Sequence, residues 1–371
     1  MKALAFGTGV LLRGLVADAA ERAAIRLTMV SSTAAGDARA QQLAAAGQFT
    51  LRARGLGDDG RPIDEARAVR SIARAISASA QWPDVLATAT DPGLSLVLSN
   101  VTESALHTVD DEIDGDAAAA GRAPVSFPAR LTAWLWARER ADIADTVTVL
   151  PCELVGENGP VVQALVSAVA TRWNAGPVLD AIAAGRIVFA STLVDRICTP
   201  DPDDPLAAIV EPYAFWAIQG SKTGPLQALA DAWPEAIAIA GDISGYALRK
   251  VRILNGLHTA MASIAPRFHV TTVRDALEHP ELGPWLGGLL TDEILPAICP
   301  PLARADADAY ARATLRRMNN PFLEHQLSAI AVGAPAKWEN RLLPTMAAYE
   351  SRFGTPPPKL TACREAFITA R

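Results

Sequence analysis

Cysteine occurs only four times in 371 residues, at Cys152, Cys198, Cys299 and Cys363, far apart and with no CxxC pair. That spacing excludes a local disulfide framework or zinc motif and predicts buried thiols of a reducing compartment. The five histidines are equally scattered, without HxH or HExxH, so no local pattern calls for a metal. Basic charge is not in excess either. The formal net charge is -6 and no Lys/Arg run occurs, which argues against nucleic acid as a partner. No apolar run reaches the roughly 20 residues needed to cross a bilayer, so no membrane partner is expected. Gly7-Thr8-Gly9 and Arg13 interrupt the apolar start, so no signal peptide is expected and a cytoplasmic location follows.

Apolar residues, by contrast, make up 50% of the chain against 20% charged, enough for a substantial core and two domains. Lys2 to Phe6 reads as a short buried strand, followed by Gly7-Thr8-Gly9 and an amphipathic helix to about Ala24. Ile25 to Val30 reads as a second strand ending at Ser31-Ser32-Thr33. Strand, glycine turn, helix and strand open a βαβ unit. Gly7 and Gly9 allow a tight turn and close approach of a pyrophosphate to backbone N–H groups at a helix N-terminus. The third glycine of GxGxxG falls at Leu12, and no acidic residue ends the second strand. Gln41 to about Arg67, with a hairpin-like segment from Phe49, reads as an excursion from the sheet. Further strands are expected at Leu94–Ser99, Val147–Leu150 and Ile187–Ala190, each ending in polar residues. In open parallel sheets ligands bind at the carboxyl ends of strands, so Asn100 and Glu103 are candidates for a cofactor's ribose or nicotinamide, with a helix N-cap pair as the competing reading. From about Gly245 strands give way to helical periodicity. The predicted fold is therefore α/β: a Rossmann-type dinucleotide-binding domain over 1–243, then a mostly α-helical substrate and catalytic domain over 244–371.

The helical domain opens with Lys250-Val-Arg-Ile-Leu-Asn255-Gly-Leu-His258. At roughly 100° per residue, Lys250, His258 and Asn255 fall at roughly 0°, 80° and 140° around a helix, facing one cleft. A buried lysine can lose its proton near neutral pH. An asparagine amide can donate to a carbonyl oxygen, and an imidazole can orient both. The trio suits proton transfer at an alcohol while a cofactor moves the hydride. A lysine, an asparagine and a histidine with purely structural duties are the competing reading.

The chain resembles the polyol-specific long-chain dehydrogenases, the mannitol dehydrogenase family, whose pattern Lys-x4-Asn-x2-His is matched by Lys250, Asn255 and His258. Further matching stretches are Ser99-Asn-Val-Thr-Glu103, Phe127-Pro-Ala-Arg-Leu-Thr132, Pro151-Cys-Glu-Leu154 with Asn158-Gly159, and Ser191 to Ile197. Glu211-Pro-Tyr213 with Trp216, Asn320-Pro-Phe322, His325-Gln326 and Lys337 complete the series. The resemblance implies that Lys250 is the acid/base on the alcohol oxygen, Asn255 polarises the carbonyl and His258 positions substrate, without a metal. It places Asp195 and His325 near substrate. Mannitol-type members carry Cys-Asp-Asn where this chain has Cys152-Glu153-Leu154, which favours the uronate-reducing branch. The implied substrate is a sugar acid, a keto-hexuronate and hexonate pair of the tagaturonate and altronate type, with a neutral polyol or fructuronate as the alternatives. Arg252, flanking Lys250 with Arg249, suits the substrate carboxylate, with solvated helix charges as the competing reading; Arg317 and Asn320 are further candidates. NAD is the implied cofactor, although Ser31 and Ser32 would tolerate NADP. The chain is shorter than expected for this branch, which would leave the cleft more open. A dinucleotide-binding sensor without catalysis is the non-enzyme alternative, and nothing in the sequence sets the oligomeric state.

Overall fold

The computed structural model describes residues 1–107 and 113–369. Its centre is a six-stranded, wholly parallel sheet: β1 (Lys2–Phe6), β2 (Arg26–Ser31), β3 (Ile72–Ser77), β4 (Leu94–Ser99), β5 (Val147–Pro151) and β6 (Ile187–Phe189). Their order is β3-β2-β1-β4-β5-β6, a doubly wound sheet whose direction of winding reverses between β1 and β4. Successive side chains of a strand point to opposite faces. Accordingly Ala3 and Ala5 join one hydrophobic core with Leu27, Met29, Leu96 and Leu98. Leu4 and Phe6 join the other with Val30, Val97, Val147 and Val149. Both faces are buried, which is why these strands are short continuous apolar runs. Each fully buried Leu or Phe contributes roughly 1.5–3 kcal/mol.

Two small sheets flank this framework. Phe49–Leu56 and Pro62–Val69 join Ala208–Val210 and Cys198–Pro200, while Thr192–Asp195, Phe215–Gln219 and Ile237–Ala240 form a three-stranded sheet. Beyond Ala240 the described residues hold no strand, only an isolated bridge between Thr272 and Gln326.

The chain divides into two compact units, Met1–Ala53 with Glu65–Ile243, and Arg54–Asp64 with Ser244–Arg371. The hairpin tip, residues 54–64, thus departs from the expected continuous 1–243 segment. Its reason is visible within the second unit: the Arg54 carbonyl accepts from Asn320 Nδ2 at 3.2 Å, Asp58 pairs with Arg316 at 2.8 Å, and the Arg54 guanidinium lies over the Phe322 ring. In the second unit Ser244–Arg249, Lys250–Asn255 and Gly256–Ile264 follow without interruption, the middle segment being a π-helix. No helix among the described residues is long and apolar enough to cross a membrane.

Candidate functional site

In the first unit the polar groups gather where β1, β4 and β5 end. Gly7 ends β1 with φ +122, a conformation that L side chains rarely adopt, and its N–H donates to Val30 O at 2.7 Å. A Cβ there would lie 2.8 Å from Leu12 Cδ1 and 3.0 Å from the Asn100 carbonyl, so the turn is closed by packing. Gly9 differs. A Cβ on it would meet nothing nearer than Asn100 Oδ1 at 4.0 Å and would project into open space. That is a cradle which a side chain would fill, beside the helix start at Val10. Its chemistry fits a dinucleotide pyrophosphate, which needs unobstructed backbone at a helix N-terminus. Arg13, buried in the π-helix Leu12–Val16, donates from Nη1 to Thr8 O at 3.1 Å and so holds the turn from beneath. Burial, aided by Arg39, pulls its pKa down to about 10.

Asn100 lies at the end of β4. Its N–H donates to Phe6 O at 3.2 Å and its Nδ2 to Cys152 O at 2.9 Å. Glu103 begins an exposed 3-10 turn, Glu103–Ala105, and is itself exposed. Ser31, expected among the cofactor-binding residues, is fully buried, and its hydroxyl donates to Asp37. The strand pleat turns Ser31 inward, where its hydroxyl holds a carboxylate. Asp37 also accepts from Ser79 at 2.9 Å. Burial raises its pKa, but the hydroxyls of Ser31, Ser77 and Ser79 outweigh it and hold the carboxyl below its usual range. An acid therefore stands just past β2 after all, six residues later than the sequence pattern places it. Asp195 is buried at the end of its strand, opposite Phe215. Its neighbour Arg196 pairs with Asp18 at 2.8 Å, and Asp18 also binds Arg22 and Arg67.

In the second unit the π-helix alters the expected arc. A ring closed from i to i+5 sets Asn255 one turn beyond Lys250, and His258 follows at i+3 in the α-helix. The three residues thus share one helix edge more closely than a continuous α-helix allows. Lys250 and Asn255 are half-buried. The Asn255 amide makes no hydrogen bond with another described residue, while its carbonyl accepts from Thr259 Oγ1 at 2.9 Å. His258 is 8% exposed; its ring bonds the Leu254 backbone, and its Nε2 is buried without a partner. His325 meets it edge-on, with ring centroids 4.9 Å apart. Burial first, then the positive charges of His325, Arg317 and Arg341, push the His258 pKa down to about 3. Burial also lowers His325. Arg341 donates to Thr259 Oγ1 at 3.2 Å, and Lys337 donates to Ile330 O at 2.7 Å.

Arg252, expected at the substrate carboxylate, has one of its two terminal nitrogens engaged by the backbone. Its Nη1 donates to the carbonyls of Asn340 and Arg341 at 2.7 and 2.9 Å, joining the Lys250 π-helix to the π-helix Trp338–Leu342. The physical reason is local: π-helical segments expose carbonyls that an adjacent guanidinium can satisfy. Sequence reasoning missed Arg13, Asp37 and Arg341. A buried arginine inside the helix after a glycine turn was the available signal for the first; Arg341 carried none.

The mannitol dehydrogenase Rossmann domain matches residues 1–228, and the mannitol dehydrogenase C-terminal domain matches residues 242–368. The altronate oxidoreductase of Klebsiella pneumoniae (strain 342) is 34% identical over 339 residues, covering 87% of this chain and 68% of that protein. That of Yersinia enterocolitica is 33% identical over 338 residues, with the same coverage of 87% and 68%. Among solved structures, the Pseudomonas fluorescens mannitol 2-dehydrogenase ternary complex with NAD and D-mannitol aligns with a TM-score of 0.75. It is 19% identical over 99% of this chain and 78% of that one. A substrate-free D-sorbitol dehydrogenase aligns with a TM-score of 0.83 at 18% identity, over 99% and 79%. These two bear on the fold alone, whereas the sequence matches span both units. The chain belongs to the mannitol dehydrogenase family, a family of oxidoreductases acting on CH–OH groups.

Proposed function

We propose that this protein is an NAD(H)-dependent sugar-acid dehydrogenase that interconverts a keto-hexuronate and a hexonate of the tagaturonate and altronate type. The observation that carries the reading is the Lys250, Asn255 and His258 edge, present in a chain 34% identical to an altronate oxidoreductase. Residues 1–243 hold the dinucleotide and residues 244–371 the substrate. When bound, a nicotinamide supplies the hydride that reduces the keto carbon. Gly7 shapes the turn, Gly9 leaves it open to pyrophosphate, and Asn100 lines it. The Asp37 carboxylate favours a ribose hydroxyl and repels a 2′-phosphate, which supports NAD over NADP.

Lys250 delivers a proton to the nascent alkoxide in reduction and removes it in oxidation. Asn255 donates its unengaged amide to the carbonyl oxygen; one such donor is worth about 3 kcal/mol in the transition state. His258 is held neutral, so it hydrogen-bonds without adding charge, and its unpartnered Nε2 positions a substrate hydroxyl. The guanidinium charges of Arg317 and Arg341 beside His258 support an anionic substrate over a neutral polyol. Asp195 is kept as a substrate-side residue.

The test is an NADH absorbance assay with a panel of keto-uronates, with fructose and mannitol as neutral comparators and NADPH in parallel. Oxidation of NADH by tagaturonate is expected, with at least about a hundredfold lower kcat/KM for the neutral sugars, which offer no carboxylate to the guanidinium charges near His258. Turnover of mannitol alone would establish the polyol reading. Binding of NADH with no turnover of any substrate would establish a dinucleotide sensor.

A further inference from the structure

Glu153 is a buried carboxylate, 4% exposed, in the first unit just beyond β5. Neighbouring Leu154, by contrast, is 82% exposed, so the chain turns outward immediately after it. The carboxylate spans two points of the segment that leaves β4. Ser99 Oγ donates to Oε2 at 3.2 Å, and the Val101 N–H donates to Oε1 at 3.0 Å. Between them stands Asn100, tied to β1 through Phe6 O and to β5 through Cys152 O. The Asn100 carbonyl closes the Gly7 turn, and its Oδ1 borders the open space at Gly9. The base of Glu153 is itself fixed: Asn158 Nδ2 donates to Pro151 O, Glu153 O and Thr192 O at 2.9, 3.1 and 3.0 Å, and the Thr192 N–H returns a bond to Asn158 Oδ1 at 2.8 Å. Glu153 is therefore a rigid strut between the ends of β4 and β5, one strand along from the point between β1 and β4 where the winding reverses.

We propose that Glu153 is a positioning residue for the dinucleotide: by bridging Ser99 and Val101 it holds Asn100 as the wall of the glycine turn. The proposal rests on the dinucleotide reading given above. The bridge needs two adjacent polar atoms, not a charge. Burial raises the Glu153 carboxyl above the ordinary glutamate range, against the pull of the Val101 N–H and the Ser99 hydroxyl. In its protonated form one oxygen still accepts from Val101 while the other donates to the Ser99 hydroxyl, which can reverse. A glutamine amide can do the same. An alanine leaves the Val101 N–H and the Ser99 hydroxyl unsatisfied in a buried place.

The experiment measures NADH affinity by fluorescence titration, with kcat, KM for NADH and KM for substrate, in wild type, E153A and E153Q. E153A should weaken NADH about tenfold, a difference of about 1.4 kcal/mol, with substrate KM and kcat at saturating NADH held within about threefold. E153Q should recover most of the lost affinity. Should E153A not fold, S99A removes one of the two bonds and should weaken NADH by severalfold. Unchanged NADH affinity in a folded E153A or S99A overturns the proposal, and so does an E153Q as weak as E153A. A wild-type protein that binds no NADH overturns the dinucleotide reading instead. Hydrogen exchange at the Asn100 and Val101 amides, faster in E153A than in E153Q, then still reports whether Glu153 holds the segment.

Discussion

Gly7 and Gly9 are one residue apart and do different work. Gly7 needs its positive φ and has no room for a Cβ, whereas Gly9 has room that a ligand would use. Gly7→Ala is expected to cost about 1–3 kcal/mol through backbone strain, read as a lower Tm. Gly9→Ala should leave Tm nearly unchanged and weaken NADH by at least about tenfold, since its methyl occupies the cradle. Equal losses of stability in the two variants would contradict this division. Lys250→Ala should lower kcat by about a hundredfold to ten-thousandfold while leaving NADH affinity intact; retained turnover would remove Lys250 from the mechanism. At this scale the sequence displayed residue types and spacing, so Lys250, Asn255 and His258 stand out as three polar groups within nine positions. It did not display which way a side chain turns. Ser31 points inward to Asp37 and Arg252 reaches the carbonyls of Asn340 and Arg341, some 88 residues away along the chain.

The helix bearing Lys250 illustrates the next scale. Apolar periodicity identifies a helix, but Lys250–Asn255 adopts π geometry, and the i+5 step decides how Lys250 and Asn255 align. Strand β3 escaped the sequence reading because Ile72-Ala-Arg-Ala-Ile-Ser77 carries only two large apolar residues around an arginine. Its pairing with β2 gives it a place that its composition does not announce. Another element-level dependence joins the π-helix Leu290–Ile294 to the helix Pro358–Thr369. Buried Glu293 accepts from the N–H groups of Lys359 and Leu360 at 2.7 and 2.8 Å, capping that helix from a distant part of the chain. Glu293→Ala leaves two amides unsatisfied and is expected to destabilise the second unit by about 2–4 kcal/mol. Thermal denaturation of the variant checks this; a Tm within a degree of wild type would show that the cap is dispensable.

Over the whole molecule, acid should act on the two units through different groups. His258 has a folded pKa near 3, well below the ordinary histidine value of 6.5, so the unfolded chain binds the proton more readily. Its contribution is complete above pH 6.5 and declines as pH falls toward 3, at up to about 1.4 kcal/mol per pH unit. In the first unit, burial raises the Asp18 pKa, but its bonds to Arg196 and Arg22 and the charge of Arg67 prevail and lower it. That stability is present above the ordinary aspartate value and fails only as pH falls below about 4. Acidification from pH 7 to 5 should thus cost the second unit about 2 kcal/mol, and His258→Gln should remove most of that loss. Denaturant titrations at the two pH values test it; an equal pH response in both proteins would be contrary. What the sequence determined by itself was local and periodic: the buried strands, the glycine turn, the Lys-Asn-His spacing and the family. Only the tertiary structure decided the order of the six strands, the inward turn of Ser31, the return of Asp37 to the end of β2 and the strut at Glu153. Each of these depends on hydrogen bonds and packing between residues distant in the chain, and no local pattern encodes such a contact.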